Sequence, residues 1–289
     1  QAEDGIRDTS RGLVGSEMCI RDRVSIELTT RMLAILFDFP WEERRKLTRW
    51  SDVATAGPET GIIESEDQRR AELLECLEYF SELWKERAGR KEVGHDLVSM
   101  LAHGASTKDM LSRPMEYLGN LVLLIVGGND TTRNSLSAGV LALNQNPDQY
   151  DKLRANPDLI PNMVSEIIRW QTPLAHMRRV ALEDTVLGGK QIKKGEKVVM
   201  WYLSGNRDPD VFDDPDAFII DRPNARKHMS FGFGIHRCMG NRVGEMQLRI
   251  AWEEILKRFH KVEVVGEPER NFSAFVHGYT ELPVRLIAK

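Results

Sequence analysis

The 289-residue sequence has few cysteines, no long hydrophobic run and little net charge. Its three cysteines, Cys19, Cys76 and Cys238, are far apart, which excludes a disulfide framework and a C-x-x-C metal site. The longest strongly apolar run, Leu121 to Val126, is too short to cross a bilayer, and no charged-then-apolar signal segment opens the chain. We therefore expect no membrane span and, by default, a cytoplasmic location.

The charge balance excludes a further class of partner. With 40 basic and 44 acidic residues the formal net charge is −4, so the sequence indicates no nucleic-acid partner. Hydrophobic residues make up 41 % of the chain, which is enough for a sizeable core in one large domain or two.

Residues 1–23 are expected to lie outside the fold, because they lack apolar periodicity and do not lead into the helix predicted next. The first eight residues match the translation of a sequencing-library adaptor, and Ser16 to Arg23 resemble a translated transposon-end adaptor. We predict that residues 1–23 are a non-native leader and that the fold begins at Val24. A disordered native tail is the alternative.

Apolar periodicity predicts a mainly helical protein with small β-sheets at its margins. Helices are expected over residues 24–37, 41–53, 65–87, 95–101 and 107–144. The last of these has an unusually apolar middle and is expected to run through the core. Short strands are expected at residues 177–181, 185–187, 191–192 and 197–202, and again after Lys261. The stretch from Gly205 to Arg226 is predicted to be an irregular meander.

Cys238 lies in the loop Ser-Phe-Gly-Phe-Gly-Ile-His-Arg-Cys-Met-Gly, residues 230–240. Gly232, Gly234 and Gly240 let the backbone adopt positive φ and approach a flat ligand closely. The following residues have helical spacing, so Cys238 is expected near a helix N-terminus, where the helix dipole favours the metal-binding thiolate. A buried free cysteine beside a turn is the alternative.

The long helix contains Gly-Gly-Asn-Asp-Thr-Thr at residues 127–132, and each of these residue types costs helix stability. Gly127 and Gly128 would permit close approach of a flat ligand. The Thr131 hydroxyl can bond the carbonyl one turn back and open the helix locally, and Asp130 beside it can relay protons. The alternative is a packing notch for a neighbouring helix.

Together these segments resemble the cytochrome P-450 superfamily. The residues from Phe231 to Gly240 fit its haem-binding loop, F-x-x-G-x-x-x-C-x-G. The resemblance implies the cytochrome P-450 fold, haem b as the cofactor, Cys238 as the iron ligand, and Phe231 and Gly232 as part of the cofactor site.

Residues 127–132 resemble the oxygen-activation motif of the same family, (A/G)-G-x-(D/E)-T-(T/S). The resemblance implies that Asp130 and Thr131 are its catalytic acid and alcohol, and that Gly127 and Gly128 lie against the cofactor.

Glu166 and Arg169 stand at i and i+3, where an exposed ion pair is the ordinary interpretation. They also resemble the E-x-x-R motif of the family, and Arg222 matches the meander arginine that completes a buried structural triad there. Removal of one member of such a triad would leave a buried charge without a partner.

Two further residues are implied to bind the haem propionates, Arg179 on a predicted strand and His236 two residues before Cys238; a solvent-facing cation is the alternative for each. Electrons for O2 would come from NAD(P)H through a ferredoxin reductase and an iron–sulfur ferredoxin. Further basic residues surround the loop and would suit an acidic electron-transfer protein. They are Arg226, Lys227, His228, Arg237 and Arg242.

The sequences of residues 127–134 and 169–179 resemble those of the bacterial alkane terminal hydroxylases of this superfamily. We therefore predict a haem-thiolate monooxygenase that hydroxylates the ends of medium-chain alkanes or related apolar chains. The resemblance covers residues 24–289, expected to be the C-terminal two-thirds of a single domain. We therefore also expect an N-terminally truncated fragment that is poorly soluble or retains haem weakly. The alternative is a non-catalytic haem-binding protein or an inactive truncated gene product, although ligation alone would not require Asp130 and Thr131.

Overall fold

The computed structural model describes residues 17–289, which fold into two compact units. Residues 20–133 form one unit, called the N-terminal unit here. Residues 17–19 and 134–289 belong to the other, called the C-terminal unit. The boundary falls within one long helix, Pro114–Gln145.

The N-terminal unit is helical throughout its regular structure. A π-helical turn at Arg21–Ser25 leads directly into the first α-helix. The helices are α1 (Ile26–Phe37), α2 (Arg45–Thr55), α3 (Glu66–Ala88), α4 (Leu97–His103) and the first part of α5 (Pro114–Gln145). Short 3-10 turns stand at Trp41–Glu43, Pro58–Thr60 and Met110–Ser112.

Helix α5 begins at Pro114, seven residues later than the periodicity predicts. Residues 107–112 form turns instead, because the Thr107 hydroxyl donates to the Leu101 carbonyl at 2.6 Å and the Ser112 hydroxyl to the Asp109 carbonyl at 2.7 Å. Proline suits the first turn of a helix, where its missing N–H is not needed.

Aromatic side chains form the core of the N-terminal unit. Phe37 and Phe80 pack edge to face with ring centroids 5.1 Å apart, and Phe39 stacks on Tyr79 at 4.9 Å. Cys76 lies fully buried in the same cluster, and burial raises its pKa to about 12. This thiol is therefore a packing residue.

The C-terminal unit combines helices with short antiparallel strands. Its helices are the rest of α5, α6 (Pro147–Ala155), α7 (Ile160–Gln171), α8 (Tyr202–Gly205) and α9 (Asn241–Arg258). Its strands are β1 (Glu17–Cys19), β2 (His176–Val180), β3 (Thr185–Leu187), β4 (Lys190–Ile192), β5 (Lys197–Trp201), β6 (Phe259–Val264), β7 (Glu269–Arg270), β8 (Tyr279–Glu281) and β9 (Pro283–Ala288). The sheets have the strand orders β1-β9-β6, β2-β5, β3-β4 and β7-β8. The predicted class, mainly α with small β-sheets, is confirmed.

Close packing of α5 fixes the core of the C-terminal unit. A Cβ on Gly139 would lie 2.7 Å from Ile167 Cδ1 and 3.1 Å from Trp252 Cζ2, so glycine lets α7 and α9 approach this helix. The Asn144 side chain then ties α5 to β6, because its amide donates to the Val262 carbonyl at 2.8 Å and its oxygen accepts from Val264 N at 3.1 Å.

Residues 17–23 take part in the fold, which differs from the expectation for this segment. Strand β1 pairs antiparallel with β9, with Met18 opposite Val284, and Ile20 is buried. Residues 1–16 lie outside the described residues, and the non-native origin of the leader stays a prediction. The same holds for the single domain predicted over residues 24–289.

Within residues 17–289, none of the helices is both long enough and apolar enough to span a membrane.

Candidate functional site

The loop that carries Cys238 is folded back on itself. The Cys238 N–H donates to the Phe231 carbonyl at 2.8 Å, and a 3-10 turn at Gly234–His236 lies between them. Gly232 has φ +66°, and a Cβ there would lie 3.1 Å from the Tyr202 hydroxyl. The positive φ favours glycine at this position, and the space for a Cβ there is tight.

Apolar side chains next to Cys238 face outward. Phe233, Ile235 and Met239 are 79 %, 97 % and 81 % exposed, and the Cys238 side chain is exposed with them. A small protein rarely leaves such a contiguous apolar surface open unless it binds something. The surface suits a flat apolar ligand whose metal meets the sulfur.

Opposing effects act on the pKa of the Cys238 thiol. Desolvation by neighbouring atoms raises the pKa of the Cys238 thiol, while the Gly240 N–H and the Arg237 guanidinium act in the opposite direction. The N–H at the helix start thus favours the thiolate as expected, but desolvation outweighs it. A coordinating metal removes a thiol proton by its own charge, so a metal would offset the desolvation.

A small apolar cavity lies beside the loop. It has a volume of about 250 Å³, and Arg179 enters it together with Phe233, Trp201 and Tyr202. The Arg179 guanidinium donates to the Arg178 carbonyl at 3.0 Å, and within residues 17–289 it has no carboxylate partner. His236 is exposed on the loop itself. Arg179 and His236 thus stand near an apolar surface, where they could bind two ligand carboxylates.

These features fit haem. One thiol can ligate its iron, Gly232 allows close approach, the apolar side chains can cover the macrocycle, and Arg179 and His236 can take the propionates. In the part of the chain that the structure describes, no group of three His, Cys, Asp or Glu side chains is placed to hold a metal ion.

Glu166, Arg169 and Arg222 form one buried cluster in the C-terminal unit. Arg169 binds the Glu166 carboxylate with two hydrogen bonds, at 2.7 Å and 2.8 Å. Arg222 Nε lies 3.2 Å from both oxygens of the same carboxylate. Glu166 and Arg169 are 0 % exposed, so this is not the solvated pair of the ordinary interpretation.

The two arginines of this cluster also bind the backbone of the meander. Arg169 Nη1 donates to the carbonyls of Asn206 and Pro215, each at 2.7 Å, and Arg169 Nη2 to that of Ala217 at 3.0 Å. Arg222 Nη2 also reaches the Ala217 carbonyl, at 2.9 Å. The carbonyl dipoles compensate the second positive charge, which one glutamate cannot balance.

A chain of hydrogen bonds joins this cluster to the start of the Cys238 loop. Asn206, whose carbonyl accepts from Arg169, donates from its side-chain amide to the Ser230 hydroxyl at 2.8 Å. The Asn206 side-chain oxygen accepts from Met229 N at 2.6 Å. The Ser230 hydroxyl in turn donates to the Ile168 carbonyl at 2.8 Å. The cluster thus sets where the loop begins.

The basic residues around the loop are not all charged. His228 is buried, and burial together with Arg237 lowers its pKa to about 4. It is neutral at pH 7, which corrects its placement among the cations of this surface. Arg226 lies 3.5 Å from Glu245, so part of its charge is also compensated.

The Gly-Gly-Asn-Asp-Thr-Thr segment lies in the N-terminal unit, where α5 remains α-helical throughout. A Cβ on Gly128 would lie 2.7 Å from Leu33 Cδ2, so this glycine is a packing notch for α1. A Cβ on Gly127 would meet nothing within 4 Å. One glycine therefore serves helix packing, and the other leaves open space of the kind a flat ligand needs.

Asp130 and Thr131 have different surroundings. The Thr131 hydroxyl donates to the Gly127 carbonyl at 2.9 Å, one turn back as expected, although the helix does not open there. Asp130 is 1 % exposed, and its Oδ1 accepts from the Ser51 hydroxyl at 3.1 Å. Burial raises the pKa of Asp130 even though a neighbouring arginine, Arg133, acts to lower it.

The sequence analysis did not predict two residues of this network, Arg133 and Asp52. Arg133 Nη2 lies 2.6 Å from Asp130 Oδ1 and also 2.6 Å from Asp52 Oδ1. The i, i+3 spacing of Asp130 and Arg133 is a signal that could have found the arginine. Nothing in the sequence indicates Asp52, which is 81 residues away in the chain.

Comparison with known proteins identifies the chain's relatives. The family model described as Cytochrome P450 matches residues 82–278. Linalool 8-monooxygenase of Pseudomonas putida is 36 % identical over 279 residues, which are 96 % of this chain and 67 % of that protein. Methyl-branched lipid omega-hydroxylase of Mycobacterium bovis is 32 % identical over 294 residues, covering 98 % of this chain and 67 % of the relative.

Solved structures similar to this chain include a cytochrome P450. The structure of Cytochrome P450-153 from Novosphingobium aromaticivorans is 52 % identical, with a TM-score of 0.86, and the match covers 94 % of this chain and 66 % of that one. The chain therefore spans about two thirds of the length of the relatives it matches.

We predict that Glu166→Gln strongly destabilises the C-terminal unit. The substitution leaves Arg169 and Arg222 buried beside a neutral amide, and breaking a buried ion pair in this way costs about 3–5 kcal/mol. The control is Glu72→Gln, which removes a partly exposed pair with Arg49 at 2.6 Å and should cost under about 1 kcal/mol. Denaturant unfolding measures both, and equal losses would show that the cluster does not hold the unit together.

We also predict a pH dependence of stability that originates at His228. The pKa of this histidine is lower in the folded chain, about 4, than its ordinary value of 6.5, so protonation favours the unfolded chain. The free energy of unfolding should fall as the pH drops from about 6.5 towards 4, by on the order of 3 kcal/mol for this group. His228→Gln should remove this loss.

The matched control for that measurement is His260→Gln, which changes an exposed histidine of the same unit. Its acid limb in a plot of unfolding free energy against pH should follow the wild type. A His228→Gln curve that also follows the wild type would mean that His228 is not held neutral by burial.

Proposed function

The chain belongs to the cytochrome P450 family, and on that basis we propose that it acts as a haem-thiolate monooxygenase. The reaction would insert one atom of O2 into an unactivated C–H bond, with electrons derived from NAD(P)H. The observation that carries this proposal is the Cys238 loop, which presents an exposed thiol among exposed apolar side chains. Arg179, which has no carboxylate partner within residues 17–289, lies beside it. When bound at Cys238, haem b supplies the iron that activates O2, and thiolate ligation favours O–O cleavage.

The residues of the C-terminal unit would hold the cofactor. Cys238 would ligate the iron, Gly232 would let the loop approach, and Phe231 would lie at the base of the loop that its carbonyl closes. Arg179 and His236 would bind the two propionates through charge-assisted hydrogen bonds. The family resemblance also assigns Gly127 to the cofactor site, and a Cβ at this position would meet no atom within 4 Å.

The residues of the N-terminal unit would move protons. Burial raises the pKa of Asp130, so its carboxyl group takes up a proton more readily than an exposed aspartate does. The Thr131 hydroxyl donates to a helix carbonyl at rest and can turn to donate to an oxygen of the bound reactant. Asp130 and Thr131 are therefore proposed as the acid and the alcohol of the reaction.

The proposed substrates are medium-chain alkanes or related apolar chains, attacked at a terminal carbon. The resemblance to alkane terminal hydroxylases supports this class, and relatives are named for oxidation of linalool and for omega-hydroxylation of methyl-branched lipids. A methyl C–H bond is harder to break than that of the adjacent methylene, so the pocket would have to restrict how the chain end approaches the iron.

An iron–sulfur ferredoxin and a ferredoxin reductase are proposed as electron donors. Arg237 and Arg242 extend the basic surface around the Cys238 loop, which favours an acidic partner. The same proposal places the reaction in the cytoplasm, where NAD(P)H is available.

We expect Cys238→Ala to abolish the spectroscopic signature of a thiolate-ligated haem. The wild-type protein, reduced and exposed to CO, should show the red-shifted Soret band of that ligation, because sulfur donates electron density to the iron. The control is Cys19→Ser, which changes a thiol outside the loop and should leave the band in place. Persistence of the band in Cys238→Ala would assign the iron to another ligand.

Thr131→Ala should keep the CO spectrum but lower the yield of product per NAD(P)H, with the electrons appearing as hydrogen peroxide. Loss of a positioned proton donor should reduce the yield roughly a hundredfold or less, the lower range for general acid catalysis. Thr131→Ser, which restores a hydroxyl, should recover most of it. A wild-type yield in Thr131→Ala would remove this hydroxyl from the mechanism.

Product analysis tests the substrate class. With a medium-chain alkane and the electron-transfer partners present, the terminal alcohol should predominate over internal alcohols. A mixture dominated by internal alcohols would leave the monooxygenase in place but refute terminal selectivity.

A further inference from the structure

Arg133 lies between two carboxylates of different helices in the N-terminal unit. Its Nη2 atom is 2.6 Å from Asp130 Oδ1 on α5 and 2.6 Å from Asp52 Oδ1 on α2. The hydroxyls of Ser51 and Thr55, also on α2, donate to the two oxygens of Asp130 at 3.1 Å and 3.5 Å. Helix α2 therefore supplies both a competing carboxylate and the hydroxyl groups that surround Asp130.

The charges of this cluster do not balance. Two carboxylates share one guanidinium, so the cluster carries one surplus negative charge when every group is ionised. The other charged groups that act on it are Arg21, Asp22 and Arg49. Arg21 pairs with Asp22 at 2.9 Å and Arg49 with Glu72 at 2.6 Å, so neither pair contributes net charge. The surplus charge has a large cost in a buried site, and uptake of one proton removes it.

Exposure differs along the cluster. The Asp130 side chain is 1 % exposed and that of Arg133 is 7 % exposed, whereas the Asp52 side chain is 22 % exposed. Within residues 17–289, Arg133 Nε and Nη1 are buried without an acceptor, and such donors are suited to binding water. The Asp52 end can thus exchange protons with solvent while Asp130 remains enclosed.

We propose that Asp52 is a positioning residue for Asp130: by competing for Arg133 it keeps Asp130 able to take up a proton, so that Asp52, Arg133 and Asp130 act as one acid unit with a solvent-facing end. This inference rests on the proposed role of Asp130 as the acid of the reaction. Family-model matching begins at residue 82, so Asp52 lies outside the matched part of the chain.

The effect of Asp52 has a definite sign. Burial raises the pKa of Asp130, Asp52 raises it further, and Arg133 lowers it. Without the Asp52 charge, Arg133 would form an ion pair with Asp130 alone. This neutral pair would keep the Asp130 carboxylate ionised. With Asp52 present, two carboxylates compete for one cation, and the titration belongs to the whole cluster.

The decisive variant is Asp52→Asn, which removes the charge while its amide oxygen can still accept from Arg133. Asp109→Asn is the matched control, since it makes the same change in an exposed ion pair with Arg113 at 2.9 Å in the same unit. Carbon-13 NMR of protein labelled at the aspartate carboxyls follows the titration, and Asp130→Asn assigns the Asp130 signal. We expect the Asp130 midpoint to move to lower pH in Asp52→Asn and to stay at the wild-type value in Asp109→Asn.

Asp52→Glu should restore the wild-type midpoint, because it returns the carboxylate. An unchanged midpoint in Asp52→Asn, or the same displacement in Asp109→Asn, would overturn the proposal. This titration needs no turnover, so it separates the role of Asp52 from the proposed function. If the wild type lacks the thiolate-haem spectrum, the proposed function fails while the titration still decides the link between Asp52 and Asp130.

A kinetic readout then connects the cluster to the reaction. In an active wild type, the alkaline limb of product yield against pH should move to lower pH in Asp52→Asn, and the share of electrons released as hydrogen peroxide should rise several-fold at neutral pH. The thiolate-haem spectrum should be unchanged. A uniform loss of yield at every pH would indicate a merely structural residue and would contradict the proposal.

Discussion

The buried carboxylate of Glu166 is the point on which the C-terminal unit depends. It neutralises Arg169 and accepts from Arg222, and the two guanidinium groups then bind the backbone carbonyls of the meander. Through Asn206 this arrangement reaches Ser230 and the start of the Cys238 loop. Since the arginines bind backbone rather than side chains, the path of the meander is fixed without demanding particular side chains along most of it. The geometry of the Cys238 loop thus rests on an ion pair distant from it in the chain.

The local sequence pattern predicted most of the helices and strands correctly, but it predicted some of their boundaries poorly. Apolar spacing predicts helices α1, α3 and α4 to within about two residues, because each buries one face. The start of α5 is misplaced because hydroxyl groups between residues 107 and 112 satisfy the backbone in turns. Strand β1 was missed because its pairing partner, β9, is at the other end of the chain.

Some functional residues could be predicted from local sequence pattern, whereas others depend on contacts between distant parts of the chain. Cys238, Asp130 and Thr131 stand in compact motifs, so their spacing alone made them candidates. Arg222 was predicted from a family resemblance, since no local pattern links it to Glu166. Asp52 and the neutral state of His228 required the structure, because burial and contacts between distant segments determine the charge that a group carries.

The three cysteines differ in a way that has a consequence for reactivity. Cys76 is sealed in an aromatic core, Cys19 is partly covered at the end of a strand, and Cys238 is open to solvent. Access of an alkylating reagent should therefore be greatest at Cys238, lower at Cys19, and possible at Cys76 only when the N-terminal unit unfolds. The raised pKa of Cys238 means that its modification should accelerate as the pH rises. The thiols can thus serve as chemical reporters. Protection of Cys238 would report that the loop is covered, and modification of Cys76 would report that the aromatic core has opened.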